Sequence, residues 1–456
     1  MPKKKTALTI EERLQQALVP ADEQPYEVPE NWVWVRLGEV NKYISKSVNP
    51  ISEPDKIFEL YSVPSMADNY PEIIVGSDIG SSKQSVCKDD VLLCKINPRI
   101  NRVWKVSQFT DNELIASSEW IIIRNNHIDV NYLMYCFQSK YFREYMLSNV
   151  SGVGGSLMRA QPKYVQTYPI PLPPLSEQQR IVERIEELFA KLDEAKERLQ
   201  EAADSFAVRK AAILHKAFTG ELTKQWRREN GVSDESWEEK TLGEVCSVNP
   251  RKINAKNLDD NLEVSFIPMA AVSDVLGEIV NPEVKNLEDV RTGFTNFAEG
   301  DVIFAKITPC MENGKSAVVG PLLNDIGYGS TEFYVLRCKE ELYNKYLYHM
   351  VRNTTFRAEA KAVMTGAVGQ QRVPKTFLQE YQLSLPTLPE QHEIVRLIDD
   401  LLARERSAQQ ATEQALASID LMKKSILARA FRGELGTNKA SEASALELLK
   451  QVLAEN

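Results

Sequence analysis

The chain is written twice. Leu172-Pro173-Pro174-Leu175-Ser176-Glu177-Gln178 returns as Leu385-Pro386-Thr387-Leu388-Pro389-Glu390-Gln391, and Ala217-Phe218-Thr219-Gly220-Glu221-Leu222 returns as Ala430-Phe431-Arg432-Gly433-Glu434-Leu435. The period of about 210 residues is far longer than the roughly 20–50 of solenoid and propeller units, so each copy is a module of domain size. Other landmarks keep their order. Leu37-Gly38-Glu39-Val40 matches Leu242-Gly243-Glu244-Val245, each after a tryptophan-containing stretch (Trp32 and Trp34, then Trp237). Asp90 to Pro98 matches Asp301 to Pro309, and Ser118 to Arg124 matches Thr331 to Arg337. Between the landmarks the copies diverge, most plainly over 41–86 against 246–297. One frame with different inserts points to one fold serving two ligands.

With 456 residues, 43% of them hydrophobic and 26% charged, the chain has the composition of an ordinary globular protein of two or three domains. No run approaches the roughly 18 apolar residues of a membrane span. Lys3, Lys4 and Lys5 lead into a mixed polar stretch unlike a secretory signal, so the expected location is cytoplasmic. Six cysteines without a CxxC pattern and four histidines give no support to a zinc site or a disulfide framework. The net charge of −9 argues against a polycationic coat, yet basic residues recur at matched places. Lys95, Arg99, Arg102 and Lys105 share one stretch, Arg159 and Lys163 follow a glycine run, and Arg372 and Lys375 repeat that arrangement.

Each copy divides into a mixed α+β part and a helical part. The first mixed part spans 31–175, with short β-rich runs such as Ile121 to Ile123 and Val165 to Ile170 and a helix-like stretch near 130–147. The second, with its linker, spans 226–388, where Asn313-Gly314 between apolar runs reads as a type I′ hairpin turn. The helical parts, 176–225 and 389–436, carry a heptad. In the first, Ile181, Ile185, Leu188, Leu192, Ala195, Leu199, Ala202, Phe206 and Ile213 alternate steps of four and three, with Arg209 interrupting. In the second, Ile394, Ile398, Leu401, Ala408, Ala415, Ile419, Met422 and Ile426 do so, with Glu405 and Thr412 interrupting. A stripe this long requires a partner helix. The economical solution is that the two helices pack on each other antiparallel, although a helix from another subunit would also serve. Roughly 45 residues at about 1.5 Å each make a rod of about 65 Å. Ser176 is the expected N-cap of the first helix, and Gly220 and Gly433 the expected stops. Residues 1–30 form an N-terminal extension with an amphipathic segment around Thr9 to Val19. A tail, 437–456, holds a short helix around Ala443 to Ala454, and either segment could dock on a partner or cap the fold.

Catalytic patterns are missing. Gly314-Lys315-Ser316 has the tail of a phosphate-binding loop, but position 309 is Pro where the upstream glycine belongs. None of Asn97-Pro98, Asn249-Pro250 and Asn281-Pro282 continues as Pro-Tyr or Pro-Phe, so the amino-methyltransferase tetrapeptide is absent. Two loops are better candidates for binding. Residues 151–163 offer Ser156, Arg159, Gln161 and Lys163, and residues 365–375 offer Gln370, Gln371, Arg372 and Lys375. Glycines let backbone approach a phosphate, Arg and Lys add charge, and Gln can pair bidentately with adenine. The plainer reading is a loop that closes each module onto its helix.

Taken together, the Pro-rich helix starts Leu175-Ser176-Glu177-Gln178 and Leu388-Pro389-Glu390-Gln391, the long helices, the Lys306-Ile307-Thr308-Pro309-Cys310-Met311-Glu312-Asn313-Gly314-Lys315 block and the Gly-rich loops give a chain that resembles the specificity subunits of type I restriction-modification systems over about 31–436. The resemblance implies a pseudo-two-fold α+β architecture with two target-recognition domains held apart by two long antiparallel coiled-coil helices. It implies a non-catalytic subunit that binds double-stranded DNA, each domain reading half of a bipartite site. Two methyltransferase subunits using S-adenosylmethionine to modify adenine, and translocase-nuclease subunits using ATP with magnesium, are the implied partners, while no cofactor belongs to this chain. The implied DNA contacts fall among Lys95, Arg99, Arg102, Lys105, Ser156, Arg159, Gln161, Lys163, Lys306, Thr308, Asn313, Lys315, Gln370, Gln371, Arg372 and Lys375. One departure stands out: Asn97-Pro98-Arg99-Ile100-Asn101 lacks the Met-Glu-Asn-Gly-Lys run of the second copy. Two other classes remain, a coiled-coil adaptor without DNA specificity and an autonomous methyltransferase or nuclease.

Overall fold

The computed structural model describes residues 8–152, 158–251, 258–367 and 369–454. They form two compact units, one built from Met1–Leu199 with Gln414–Asn456 and the other from Gln200–Glu413. The division falls inside both long helices rather than at their ends. Each unit therefore holds one mixed module, the start of its own helix and the end of the other copy's helix.

The helices span Leu175–Phe218 and Leu388–Ala430. Both are rich in Ala, Leu, Glu, Lys, Arg and Gln, which lose little freedom in a helix, and neither holds a glycine. The first begins at Leu175, so Ser176 lies in the first turn and is not the cap; the Pro174 carbonyl accepts from Gln178 N at 3.0 Å and closes the turn one residue early. Gly220 and Gly433 stop the helices with φ of +75° and +74°, and a Cβ on Gly433 would stand 2.4 Å from Pro29.

In the first unit, Ile181 and Ile185 share a core with Leu427, Ala430 and Phe431, and Asp193 pairs with Lys423 at 2.6 Å. In the second, Leu214 and Ala217 share a core with Ile394 and Ile398, and Arg209 pairs with Glu405 at 2.9 Å. Rising numbers on one helix meet falling numbers on the other, so the packing is antiparallel in both units. Arg209 and Glu405, the polar interruptions of the two heptads, are partners. Phe206 and Ile419 are buried as expected, while Leu188, Leu192, Leu199, Leu401, Ile213 and Ile426 are half-buried. Met422 is corrected: it is 50% exposed, and Lys423 takes the inward place with its ammonium 5.0 Å over the Phe189 ring. Ala408 is exposed as well. Toward both helix ends burial passes one residue onward, to Leu214 and Leu427, because a helix of about 3.6 residues per turn drifts about 20° per heptad from a strict 3.5 repeat.

Each module closes its start on its end by an antiparallel pair, Val33–Arg36 with Pro169–Leu172 and Glu238–Thr241 with Gln382–Leu385. The expected strand from Val165 is shorter, since Pro162–Val165 is a helical turn. At the centre of each module a strand pairs on both sides: Val91–Cys94 between Val103–Lys105 and Trp120–Ile123, and Val302–Ala305 between Ser316–Val318 and Phe333–Cys338. Alternate side chains enter different cores, Val302 and Phe304 one, Ile303 and Ala305 the other, which is why the run is apolar throughout. The helix-like stretch is two helices, Val130–Gln138 and Lys140–Ser148, broken at Ser139, with the same break at Asn353 between Asn344–Arg352 and Thr354–Ala362. The terminal helices Ile10–Ala17 and Ala445–Ala454 pack together, with Ala17, Leu449 and Val452 fully buried in the first core.

A matched anchor ties each helix start to the chain leaving the other helix. In the first unit buried Glu177 accepts from Trp32 Nε1 at 2.8 Å and from Asn438 Nδ2 at 2.9 Å. In the second, buried Glu390 accepts from Trp237 Nε1 at 3.0 Å, Thr223 Oγ1 at 2.6 Å and Arg227 Nη1 at 2.6 Å. The neighbouring glutamines do parallel work: Gln178 accepts from Asp129 N and Gln391 from Tyr343 N, so they fix the starts of Val130–Gln138 and Asn344–Arg352. Burial pushes the Glu177 carboxyl above its ordinary value, against the hydrogen bonds from Trp32 and Asn438. Glu390→Gln would leave the Arg227 guanidinium, 6% exposed, with only the exposed Asp234 carboxylate at 3.1 Å as counter-charge, at a cost of about 2 kcal/mol. Glu177→Gln, with neutral donors around it, costs about 1 kcal/mol or less. Urea unfolding of the two variants checks this, and equal losses would contradict it.

Candidate nucleic-acid interface

Residues far apart in sequence converge at the same place in both modules. The segment after the central strand, Lys95 to Arg102 in the first and Lys306 to Lys315 in the second, is clasped by the strand returning from the Gly-rich loop. Asn97 N donates to Met158 O and Ala160 N to Lys95 O, both at 2.8 Å. In the second module Thr308 N donates to Gln371 O at 3.0 Å and Val373 N to Lys306 O at 2.9 Å. The residues flanking the Gly-rich loop pair with each other in both modules. Val150 and Ser151 pair with Ala160 and Arg159, and Thr365 bridges Arg372, with Gly366 at φ +125° where a Cβ would meet the Gln370 carbonyl oxygen at 2.9 Å. Ser156 lies outside the described residues.

The expected type I′ turn at Asn313-Gly314 is corrected. The strands Val302–Ala305 and Ser316–Val318 do form a hairpin, but Lys306 to Lys315 connects them through successive turns, and of the pair Gly314 alone has positive φ. The longer connection is what carries Thr308 and Asn313 out of the sheet. Arg357 Nη1 donates to Glu312 O and Arg143 Nη2 to Arg99 O, so equivalent arginines of the two modules support equivalent loops.

At the centre of each convergence stands a forked ion pair. Arg159 reaches Glu119 through Nε and Nη2, both at 3.3 Å, and Arg372 reaches Glu332 at 2.9 and 2.8 Å. Lys95 N and Lys306 N donate to the carbonyls of these same glutamates, so the pair locks loop, strand and hairpin together. The sequence marked both arginines as cations for a ligand and treated Glu119 and Glu332 as landmarks; their matched recurrence was the available signal. The arginines remain partly open, at 44% and 43% side-chain exposure.

The other candidates divide. Lys95, exposed Arg99 and exposed Lys375 have no side-chain partner among the described residues, and Lys163 lies 4.7 Å over the Tyr164 ring. Gln161 and Gln371 are half-buried and Gln370 and Asn313 exposed, leaving their amides available. Arg102 lies beside the Cys94 thiol. Lys306 donates to Thr331 O at 2.7 Å and is held below its ordinary value by burial. The Thr308 hydroxyl donates to the Met364 sulfur at 3.7 Å. Two lysines point elsewhere: Lys105, at the far end of its strand, binds Asn131 Oδ1, and Lys315 binds Met269 O. What converges is thus a rigid frame bearing free cations and free amides, the combination that holds phosphates and reads base edges. Among the described residues no His, Cys, Asp or Glu cluster could hold a metal ion, and no helix is long and apolar enough to cross a membrane.

The model for the type I restriction modification DNA specificity domain matches twice, over residues 29–203 and 234–416, and the chain belongs to that family. Its particular relatives include the type I restriction enzyme EcoEI and EcoAI specificity subunits of Escherichia coli, 32% and 33% identical over 263 residues, or 48% of this chain. The chain spans 44% of the length of each. The crystal structure of the HsdS subunit from Thermoanaerobacter tengcongensis shares the fold, with a TM-score of 0.67 and 23% identity over 90% of this chain and 99% of that one.

The Glu332–Arg372 pair makes a pH prediction. Its hydrogen bonds with Arg372 hold the Glu332 carboxyl below its ordinary value of 4.5, so the stability it contributes is fully present above that value and is lost as pH falls through the folded value. With the arginine 43% exposed, solvent screens the pair and its contribution is small. The stability gap between wild type and Arg372→Met should be constant above pH 4.5 and close below it. A gap that stays flat into acid would mean that the pair contributes nothing through ionisation.

Proposed function

We propose that this chain is the DNA sequence-recognition subunit of a type I restriction-modification complex, without catalysis of its own. Each module reads one half of a bipartite site in double-stranded DNA, and the long helices set the spacing and recruit two methyltransferase subunits. Those subunits supply S-adenosylmethionine binding and adenine methylation, and in the restricting complex translocase-nuclease subunits add ATP and magnesium chemistry. The observation that carries this reading is the doubled interface: one frame, clasped by one forked ion pair per module, presents different free cations and amides in each copy. A shared frame with divergent edges suits two different half-sites. Phosphate contacts from Lys95, Arg99, Lys163 and Lys375 fix register, and Gln161, Asn313, Gln370 and Gln371 face base edges. Membership of the specificity family leaves the adaptor reading without support.

Co-expression with a methyltransferase subunit, followed by mapping of modified adenines by long-read sequencing, tests the proposal. A single split motif with a fixed gap is expected, lost when this chain is removed; methylation without a split motif would refute it. The ruler role is tested in the same assay. Four residues inserted in the middle of both long helices add about 6 Å, near two base pairs at about 3.4 Å each. The gap should lengthen while both half-sites stay unchanged, and an unaltered gap would remove the helices as the ruler.

A further inference from the structure

The second unit contains a cleft of about 900 Å³ between its module and the helix segments packed on it. Five cations line it: Lys210 and Arg406 from the helices, and Lys345, Arg352 and Arg357 from the module. None of the five makes an ion pair among the described residues. Arg352 donates to the carbonyls of Gly314 and Asp274, and Arg357 to those of Glu312 and Arg352. The carboxylates in the lining are Asp274, Glu278 and Asp399, and Asp399 is engaged by His349 Nε2 at 3.0 Å and also lies in the field of Lys345 and Arg406. Positive charge is thus in excess, in a recess where water screens it less than at an open surface.

The first unit supplies an internal control. The repeat offset places Lys423 at the position of Lys210 and Asp193 at that of Arg406, while Gln138 stands where Arg352 does and Arg143 keeps the charge of Arg357. There the lysine has its counter-charge, at 2.6 Å. In the second unit the same lysine position faces an arginine instead. Lys210 is accordingly held below its ordinary value, by burial first and then by Arg352, Arg406 and Arg357. Arg357 is lowered in the same way, by burial and then by Arg352. A fold that gathers like charges needs a reason, and a bound anion removes the repulsion.

We propose that this cleft is a phosphate-binding site, present in the second copy and cancelled in the first, with Lys210, Arg352, Arg357 and Arg406 converging on the anion. The shared chemistry is a phosphate group, supplied either by a DNA backbone or by a free phosphate compound. The site itself does not depend on the DNA-reading function; only the choice between these sources does.

The test uses the full chain, with inorganic pyrophosphate as probe and thermal unfolding as readout. Saturating pyrophosphate should raise the wild-type Tm on the order of 5 °C. Arg406→Asp reproduces the first unit's arrangement and neutralises Lys210; it should abolish the rise while leaving the ligand-free Tm equal or higher. Lys210→Gln, which removes one lining charge and keeps a helix-compatible side chain, should reduce the rise as well. No rise in the wild type, or an undiminished rise in both variants, would overturn the site. A second arm titrates a random-sequence duplex against salt. If Arg406→Asp weakens DNA binding and lowers the salt slope by about one, the phosphate is that of DNA. If pyrophosphate binding is lost and DNA binding is unchanged, the site serves a free phosphate compound. Failure of bipartite recognition would leave the pyrophosphate result standing, so the two proposals fail separately.

Discussion

A buried carboxylate at the start of each long helix is the interaction on which the rest of the structure depends. Glu177 and Glu390 are completely buried, and each gathers an indole from its own module and polar groups from the chain leaving the other helix. These bonds give the glycine-terminated helix ends a fixed destination, and the ion pairs Asp193–Lys423 and Arg209–Glu405 hold the antiparallel register between them. The solutions differ in chemistry. Glu390 is met by a buried arginine and Glu177 by amide and indole donors, so the same geometry is charged in one unit and largely neutral in the other. A carboxylate that is both desolvated and fully bonded tolerates little displacement, which makes it a better fixed point than an apolar contact of equal area.

The long elements were legible because their signal accumulates over many turns. Two helices, their antiparallel partnership and their glycine stops follow from spacing and composition, and the interrupting Arg209 and Glu405 turned out to face each other. Where the sequence reading slipped, a small geometric increment was responsible. A strict heptad places Met422 inward, whereas the actual helical period puts Lys423 there. Asn313-Gly314 has the composition of a tight turn, but the strands it joins end further away, so the turn is part of a longer connection. Neither outcome is visible in a local window, since each depends on where a distant partner lies.

At the interface the sequence identified the right segments and was less informative about roles. Matched recurrence of Arg159 and Arg372 marked them as important, and they are, as clamps whose guanidinium groups hold Glu119 and Glu332 while remaining partly open. Lys105 and Lys315 looked like the other basic residues in composition, yet each is spent on a local hydrogen bond. The distinction between a cation that organises a loop and one that is left for a ligand lies in the third dimension. Recurrence between the copies conveys part of it, because a residue with the same partner in both modules belongs to the frame, and one that changes belongs to the edge.

The nesting of one unit inside the other has a consequence for synthesis. The second unit is continuous from Gln200 to Glu413, whereas the first takes Leu427, Phe431, Ala445 and Leu449 into its core. As the chain leaves the ribosome, the module made first must wait for the residues after Glu413 before its core can close, and the module made second is complete before it. The order of completion reverses the order of translation. Until Ala445–Ala454 emerges, the nascent chain carries an open apolar face on the first module, and a stop soon after Glu413 would damage that module while sparing the second.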